Sequence, residues 1–386
     1  MNGLRKFREV VESGHEYALR WKAETGRKVV GYFCTYFPEE IIYAAEMLPV
    51  RIVSDQKPSS IGDIHMSPHK WCSFSCGCLS EGLQGKYDYL DGVVIASGCF
   101  HNLQAFSNWC KEVSTGYHNY LYMPAHIQGA NSESCLVAEL REFKQSLESW
   151  SRRSISDADL DRAISIYNEN RELMRNIYEF RRKIPPLISG LEAMEMVLAS
   201  QVIDKEEHNG FLKDAIKEVT AYDSRFDAAT RLMIVGSGSN DLELVEAIES
   251  WGANIVIDDH CIGSRYFWNE VEPDEDRLTA LARRYLRRPP CPSKDFPERR
   301  RLGHLLDLAH SFNVQGAILL LHNHCEPHSY DMPIIEAKLS EINIPSIVLE
   351  VGTPLAMGQI QNRVQALLDI IRGQVGIINS EGYVYG

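Results

Sequence analysis

No stretch of the chain approaches 18 consecutive apolar residues, the length that a membrane-spanning helix requires, so no segment is expected to cross a membrane. An export signal is missing too. Residues 1–28, MNGLRKFREVVESGHEYALRWKAETGRK, open with charges and read as an amphipathic helix with no apolar h-region. A cytoplasmic location is therefore expected. Positive charge is also scarce. The formal net charge is −13 and no basic block offsets it, which argues against a nucleic-acid partner. A phosphate-bearing small ligand held by a few local cations stays compatible. No short-period repeat is present. What the chain does have is ten cysteines in 386 residues. A core this large needs no disulfide staples, and thiols stay reduced in the cytosol, so metal or redox chemistry is the expected use.

Short apolar runs end in Gly, Cys, Pro or Asp and are followed by helical patterns. VVGYFC (29–34), PVRIV (49–53), GVVIASGC (92–99) and NYLYMP (119–124) read as strands, with PEEIIYAAEML (38–48) as a helix after the first. Long helical patterns fill about 133–226, with Asp157 or Ser156 as an N-cap and Pro185 and Pro186 as breakers. Strands resume at RLMIVGSG (231–238), ANIVIDD (253–259), GAILLLHNHC (316–325) and PSIVLEVG (345–352). RRYLRRPPCPSKDFPERRR (283–301) reads as a surface excursion. The expected fold is α/β: two doubly wound, Rossmann-like parallel-sheet domains joined by a helical segment. The expected boundaries are an N-terminal helix (1–28), a first α/β domain (29–132), a helical linker (133–228) and a second α/β domain (229–386). The two halves suggest a loose structural duplication.

In open α/β sheets ligands sit beyond the carboxyl ends of the strands. Cys34, Cys99 and Cys325 end strands, and Cys72, Cys76 and Cys78 crowd seven positions. A lone free cysteine is more often a small buried hydrophobe; two strand-end thiols in different halves plus a cluster favour a shared site. Cys72-x3-Cys76-x-Cys78 fits no standard zinc pair and misses a C-x3-C-x2-C pattern by one residue. On a helix over 73–84, Cys72 and Cys76 share a face and Cys78 points elsewhere. One thiolate from this cluster with Cys99 and Cys325 would leave an iron–sulfur cluster one thiolate short of its usual four. VGSGSND resembles a dinucleotide turn, but Asp241 stands where the third glycine belongs and would face the pyrophosphate. Asn240 or Asp241 capping a helix is the simpler account. HNHCEPH gathers His322, His324 and His328 around Cys325, as a zinc site or as proton donors. His101 and His260 lie near strand ends and are comparable candidates.

GYFCTYFPEEIIYAAEMLPVRI, CSFSCGCLSEGLQGKYDYLDGVVIASGC, IESWGANIVIDDHCIGSR and HNHCEPH with its following INIPSIVLEVG together resemble the 2-hydroxyacyl-CoA dehydratase and benzoyl-CoA reductase family over about residues 28–372. The resemblance implies a subunit whose [4Fe–4S] cluster is held by three cysteines. By position these are Cys72, Cys99 and Cys325, with Cys76 and Cys78 as neighbours. It further implies an acyl-CoA substrate, a homologous cluster-bearing partner subunit, an ATP-hydrolysing iron–sulfur activator and a low-potential electron donor such as ferredoxin. His101, His260 and His324 are the candidate proton donors. Two departures stand out. Phe100 and His101 follow the second cysteine where the family often has Asp, and LEVGTPLAMGQ keeps only Glu350 of two frequent acids. They suit a reductase-type or noncatalytic partner subunit better than a typical dehydratase. The expectation is thus a benzoyl-CoA reductase-type subunit. The alternatives are a dehydratase subunit, an electron-relay or structural subunit, and, more distantly, a zinc hydrolase built on HNHCEPH.

Overall fold

A computed structural model of the chain describes residues 2–54, 60–67, 69–352 and 355–381. Eight strands form: β1 Val29–Tyr32, β2 Leu48–Arg51, β3 Gly92–Ala96, β4 His118–Leu121, β5 Thr230–Gly236, β6 Ala253–Asp259, β7 Gly316–His322 and β8 Ser346–Val351. They build two four-stranded sheets, ordered β2-β1-β3-β4 and β6-β5-β7-β8. Every pairing is parallel, with Val30 opposite Gly92 in the first sheet and Leu232 opposite Gly316 in the second. The same strand order appears twice, which is the duplication the sequence suggested.

Parallel sheets covered on both faces need apolar side chains on both faces. Val29, Val93 and Ile95 of the first sheet share one core with Leu232, Ile234, Ile318 and Leu320 of the second. The alternate residues face away into separate cores: Val30, Tyr32 and Val94 in one, Met233, Val235 and Leu319 in the other. One continuous core therefore joins the two halves and fixes how their strand ends meet.

Helices Ser132–Ser151, Asp157–Arg182, Gly190–Ala199 and Lys205–Thr220 lie between the sheets in sequence. Ser156 caps the second: its hydroxyl accepts from the Asp159 N–H, and the Asp159 carboxylate returns the bond to the Ser156 N–H. That helix stops at Arg182, before Pro185 and Pro186. The N-terminal segment forms two helices, Asn2–Glu12 and Gly14–Thr25, and the first packs on the Gly190–Ala199 and Lys205–Thr220 helices. The helix after β1 is shorter than expected, Glu39–Ala44, because β2 already begins at Leu48.

Segment 283–301 is not a surface excursion. Arg284, Arg288, Lys294, Asp295 and Arg301 are all buried. Their charge is absorbed by main-chain carbonyls and carboxylates. Arg284 Nη2 donates to Tyr266 O (2.7 Å), Lys294 Nζ to Met123 O (2.9 Å), and Arg288 to Thr35 O and Arg265 O. Arg301 pairs with Asp259 (2.7 Å) and with Asp331. Composition alone reads such a stretch as solvated; the unpaired carbonyls beyond the strand ends draw it inward.

Candidate functional site

The carboxyl ends of both sheets line one narrow cavity of about 80 Å³, room for several water molecules. Cys34 follows β1, Cys99 follows β3, Ser237 follows β5, Cys261 follows β6, and His322 and Cys325 close β7; all are in its wall. Cys72 joins them from the long β2–β3 connection, and Arg51, Arg265, Arg288, Cys291 and His328 line it too.

Three of these cysteines share a local geometry. Cys72 is the N-cap of helix Ser73–Leu83, Cys99 of Phe100–Glu112, and Cys325 of Glu326–Glu341. Each thiol thus stands at the positive end of a helix, where unpaired N–H groups favour an anion. The Cys325 sulfur accepts from the Cys72 thiol, the Ser237 hydroxyl and the His328 N–H, and its pKa is held down by those bonds against burial. Cys72 is pushed up, first because its proton is shared with Cys325 and then by burial. Burial raises Cys99 as well.

Cations surround the same space. Arg51, Arg265 and Arg288 are each 2% exposed or less. Arg265 Nη1 and Arg51 Nε and Nη1 have no hydrogen-bond partner among the described residues, nor has His328 Nδ1. Orphaned buried donors are costly, and here they point to an anionic occupant. A thiolate-bound iron–sulfur cluster has that charge, and its donor set is thiol sulfur, so the residues present fit such a group. Among the described residues, no three His, Cys, Asp or Glu side chains form a site ready for a single metal ion.

Hydrogen bonds tie the capping turns together. The Cys72 N–H donates to His101 Nδ1 (2.7 Å), and Ser75 Oγ donates to Asn102 Oδ1 (2.8 Å), linking the Cys72 and Cys99 helices. His322 Nε2 lies 2.8 Å from Gly238 O, which can only accept, so the proton is on Nε2. Nδ1 is then free to accept from Ser73 Oγ (3.3 Å), a bond that joins the two halves beside Cys72. Burial lowers the His322 pKa to about 4, which keeps the ring neutral.

Residues 34–371 match the family model described as 2-hydroxyglutaryl-CoA dehydratase, D-component. The chain belongs to this family. Within it, the chain is 29% identical to a benzoyl-CoA reductase subunit of Thauera aromatica, covering 86% of this chain and 87% of that one. It is 25% identical to the (R)-phenyllactyl-CoA dehydratase beta subunit of Clostridium sporogenes (89% and 91% covered). It is 24% identical to the beta subunit of (R)-2-hydroxyglutaryl-CoA dehydratase of Acidaminococcus fermentans (95% and 98% covered). These relatives are subunits of enzymes acting on acyl-CoA thioesters. No helix of the described residues is long and apolar enough to cross a membrane.

Of the clustered thiols in this chain, Cys72 lines the cavity, while Cys76 and Cys78 do not; the Cys78 thiol faces Ile52 O instead (3.9 Å). None of the three expected proton donors lines the cavity. His101 accepts the Cys72 N–H at Nδ1, which leaves its ring proton on Nε2. His260 is buried beside Asp258 (3.8 Å), whose carboxylate also accepts from the Tyr178 hydroxyl and the Ser264 N–H. His324 (φ +63) is exposed and lies outside this cavity, but it lines, with His322, Cys325 and Glu326, a neighbouring, more open cavity of about 430 Å³. The histidines that do line the wall are His322 and His328. Asp241 is the cap of helix Leu242–Ser250, accepting from the Leu244 N–H (2.9 Å). Sequence patterning does not mark Arg51, Arg265 or Arg288 as site residues. Only the Gly263–Arg265 turn in the family resemblance hints at one of them.

Proposed function

We propose that this chain is the [4Fe–4S]-bearing subunit of an ATP-dependent, low-potential acyl-CoA reductase of the benzoyl-CoA reductase type, with Cys72, Cys99 and Cys325 as its cluster ligands. The observation that carries the reading is three helix-capping thiols in one arginine-lined cavity at the strand ends. When bound, the cluster supplies single electrons to an aromatic thioester, whose carbonyl delocalises the added charge. The chain's residues set the conditions. Ser237 and the His328 N–H stabilise the Cys325 thiolate. Arg51, Arg265 and Arg288 offset negative charge in a space the 286–292 segment helps seal from water. His101 holds the Cys72 backbone and is a positioning residue. In this reading the subunit works beside a homologous cluster-bearing subunit. An ATP-hydrolysing iron–sulfur activator feeds it electrons from a donor such as ferredoxin, in the cytoplasm.

A second reading, a 2-hydroxyacyl-CoA dehydratase subunit, is supported by the relatives that carry that name. There the electron is returned at each cycle. Anoxic co-purification with the partner subunits, followed by counting ATP and donor electrons per product, separates the two. Consumption on every turnover supports the reductase, and consumption only during activation supports the dehydratase.

A further inference from the structure

A separate cavity of about 330 Å³ lies beside edge strand β2, against the end of helix Gly190–Ala199 and the junction of the two N-terminal helices. Val11, Val50, Val53, Leu198 and Val202 give it apolar walls, and its more exposed lining residues, Glu12, His15 and Lys86, mark the solvent side. That size and lining are those of a small-molecule site. Arg51 stands in the wall of this cavity and of the strand-end cavity, so the two adjoin across one side chain.

Gln201 gives the cavity its chemistry. It lines the wall and is 1% exposed. Its side-chain nitrogen donates to Val197 O and Ile262 O (both 3.1 Å), which fixes Oε1 as the acceptor. Oε1 has no donor among the described residues, and a buried acceptor left unpaired is costly. The Arg51 N–H donates to Gln201 O (2.8 Å), so the two residues are held side by side. A guanidinium carries five N–H donors in a planar fork, enough to serve an anion on one edge and a neutral carbonyl on another. An occupant must then donate to Gln201 and accept from Arg51. A carboxylate offers Gln201 no donor, and an ammonium would face the guanidinium. A secondary amide does both. The other polar lining is balanced. Lys86 pairs with Glu81 (3.3 Å), and Tyr87 Oη accepts from Val53 N and donates to Val53 O (both 3.1 Å). Such a lining suits a neutral, amide-bearing chain better than it suits phosphates.

We propose that this cavity holds the pantetheine arm of the acyl-CoA substrate, with the amide nearest the sulfur placed between Gln201 Oε1 and the Arg51 guanidinium. The inference rests on the acyl-CoA reading above and names the part of that substrate which this chain grips. The arm is slender and largely apolar. Its sulfur lies a two-carbon link beyond that amide, so an amide held at Arg51 presents the thioester to the strand-end cavity.

The test measures equilibrium binding to the anoxically purified full chain with its partner subunits. The ligands are benzoyl-CoA and its analogue in which the amide nearest the sulfur is an ester. The ester keeps the carbonyl and loses the N–H. Wild type is expected to bind it about tenfold more weakly, because Gln201 Oε1 is left unpaired. Gln201→Met fills similar space without an acceptor, and is expected to bind the ester and the amide alike. Gly14→Phe blocks the cavity independently. A Cβ at Gly14 meets Val202 at an ordinary 3.5 Å, so the ring extends along the cavity wall. This variant is expected to bind benzoyl-CoA several-fold more weakly, with iron and sulfide at wild-type levels. Equal binding of ester and amide by wild type overturns the proposal without needing any variant to fold, and so does undiminished binding by Gly14→Phe. Absence of benzoyl-CoA binding by wild type removes the acyl-CoA reading itself, and this proposal with it.

Discussion

Replacing Asp259 by Asn removes the carboxylate that orients one of the cavity's guanidiniums. Asp259 is fully buried at the end of β6, 2.7 Å from Arg301 and 3.4 Å from Arg265. Burial alone would raise its pKa, but those two cations hold it at about 2, against 3.8 for an open carboxyl. At about 1.4 kcal/mol per pH unit, that difference corresponds to about 2 kcal/mol of stability. A depressed carboxyl contributes above its open-chain value, so this share is present at neutral pH and is lost as pH falls from about 4 through about 2. The amide removes more than that. Asp331 still pairs with Arg301, but Arg265 loses its carboxylate and keeps a buried charge. Breaking one side of a buried pair costs about 3–5 kcal/mol. Urea unfolding of the reduced, metal-free chain at pH 7 should show a loss of that size for Asp259→Asn. The Asp259→Asn/Arg265→Met double variant should recover part of it, because the orphaned charge goes too. A loss below about 1 kcal/mol, or strict additivity in the double variant, would refute the idea that Asp259 holds Arg265 electrostatically.

His322 offers a pH test. Its pKa near 4 lies below the open-chain value of 6.5, so the unfolded chain takes the proton first and stability falls as pH drops below about 6.5. Between pH 7 and pH 5 the wild type should lose about 2 kcal/mol more than His322→Gln, read from urea midpoints at each pH; equal losses would exclude a neutral buried ring. His101→Ala should strand the Cys72 N–H, cost about 1–2 kcal/mol, and hasten iron release to a chelator, whereas His101→Asn, which keeps an acceptor, should release iron at close to the wild-type rate. Ser156→Ala should cost about 1 kcal/mol by thermal unfolding through loss of the helix cap, with iron content unchanged.

The strands were legible because a parallel strand covered on both faces is a short, nearly continuous apolar run, and ANIVIDD forms β6 over the expected 253–259. The strand-end rule led to Cys99 and Cys325, and it extends to Cys261, two residues past β6, which the apolar pattern alone did not single out. Other features lay beyond composition and periodicity. Nothing local in PPCPSKD says that Lys294 and Arg288 will turn inward to carbonyls contributed by residues far away in the chain. Nor does patterning show that His101 takes the Cys72 N–H and that His260 lies beside Asp258, so that neither lines this cavity. His324 takes a left-handed conformation, φ +63, which alternation along an extended segment does not anticipate. Arg51 ends β2 and reads as an ordinary edge charge, until the second half closes over it.

The central claim is that three helix-capping thiols hold one iron–sulfur cluster. The direct measurement is iron and acid-labile sulfide in the anoxically purified chain, for wild type and for single Ala variants at Cys72, Cys99, Cys325, Cys76 and Cys78. The account predicts equal amounts of iron and sulfide in wild type, loss or sharp depletion of both in the first three variants, and retention in the last two. Zinc without sulfide in wild type, or full retention of iron in Cys72→Ala and Cys325→Ala, would contradict it.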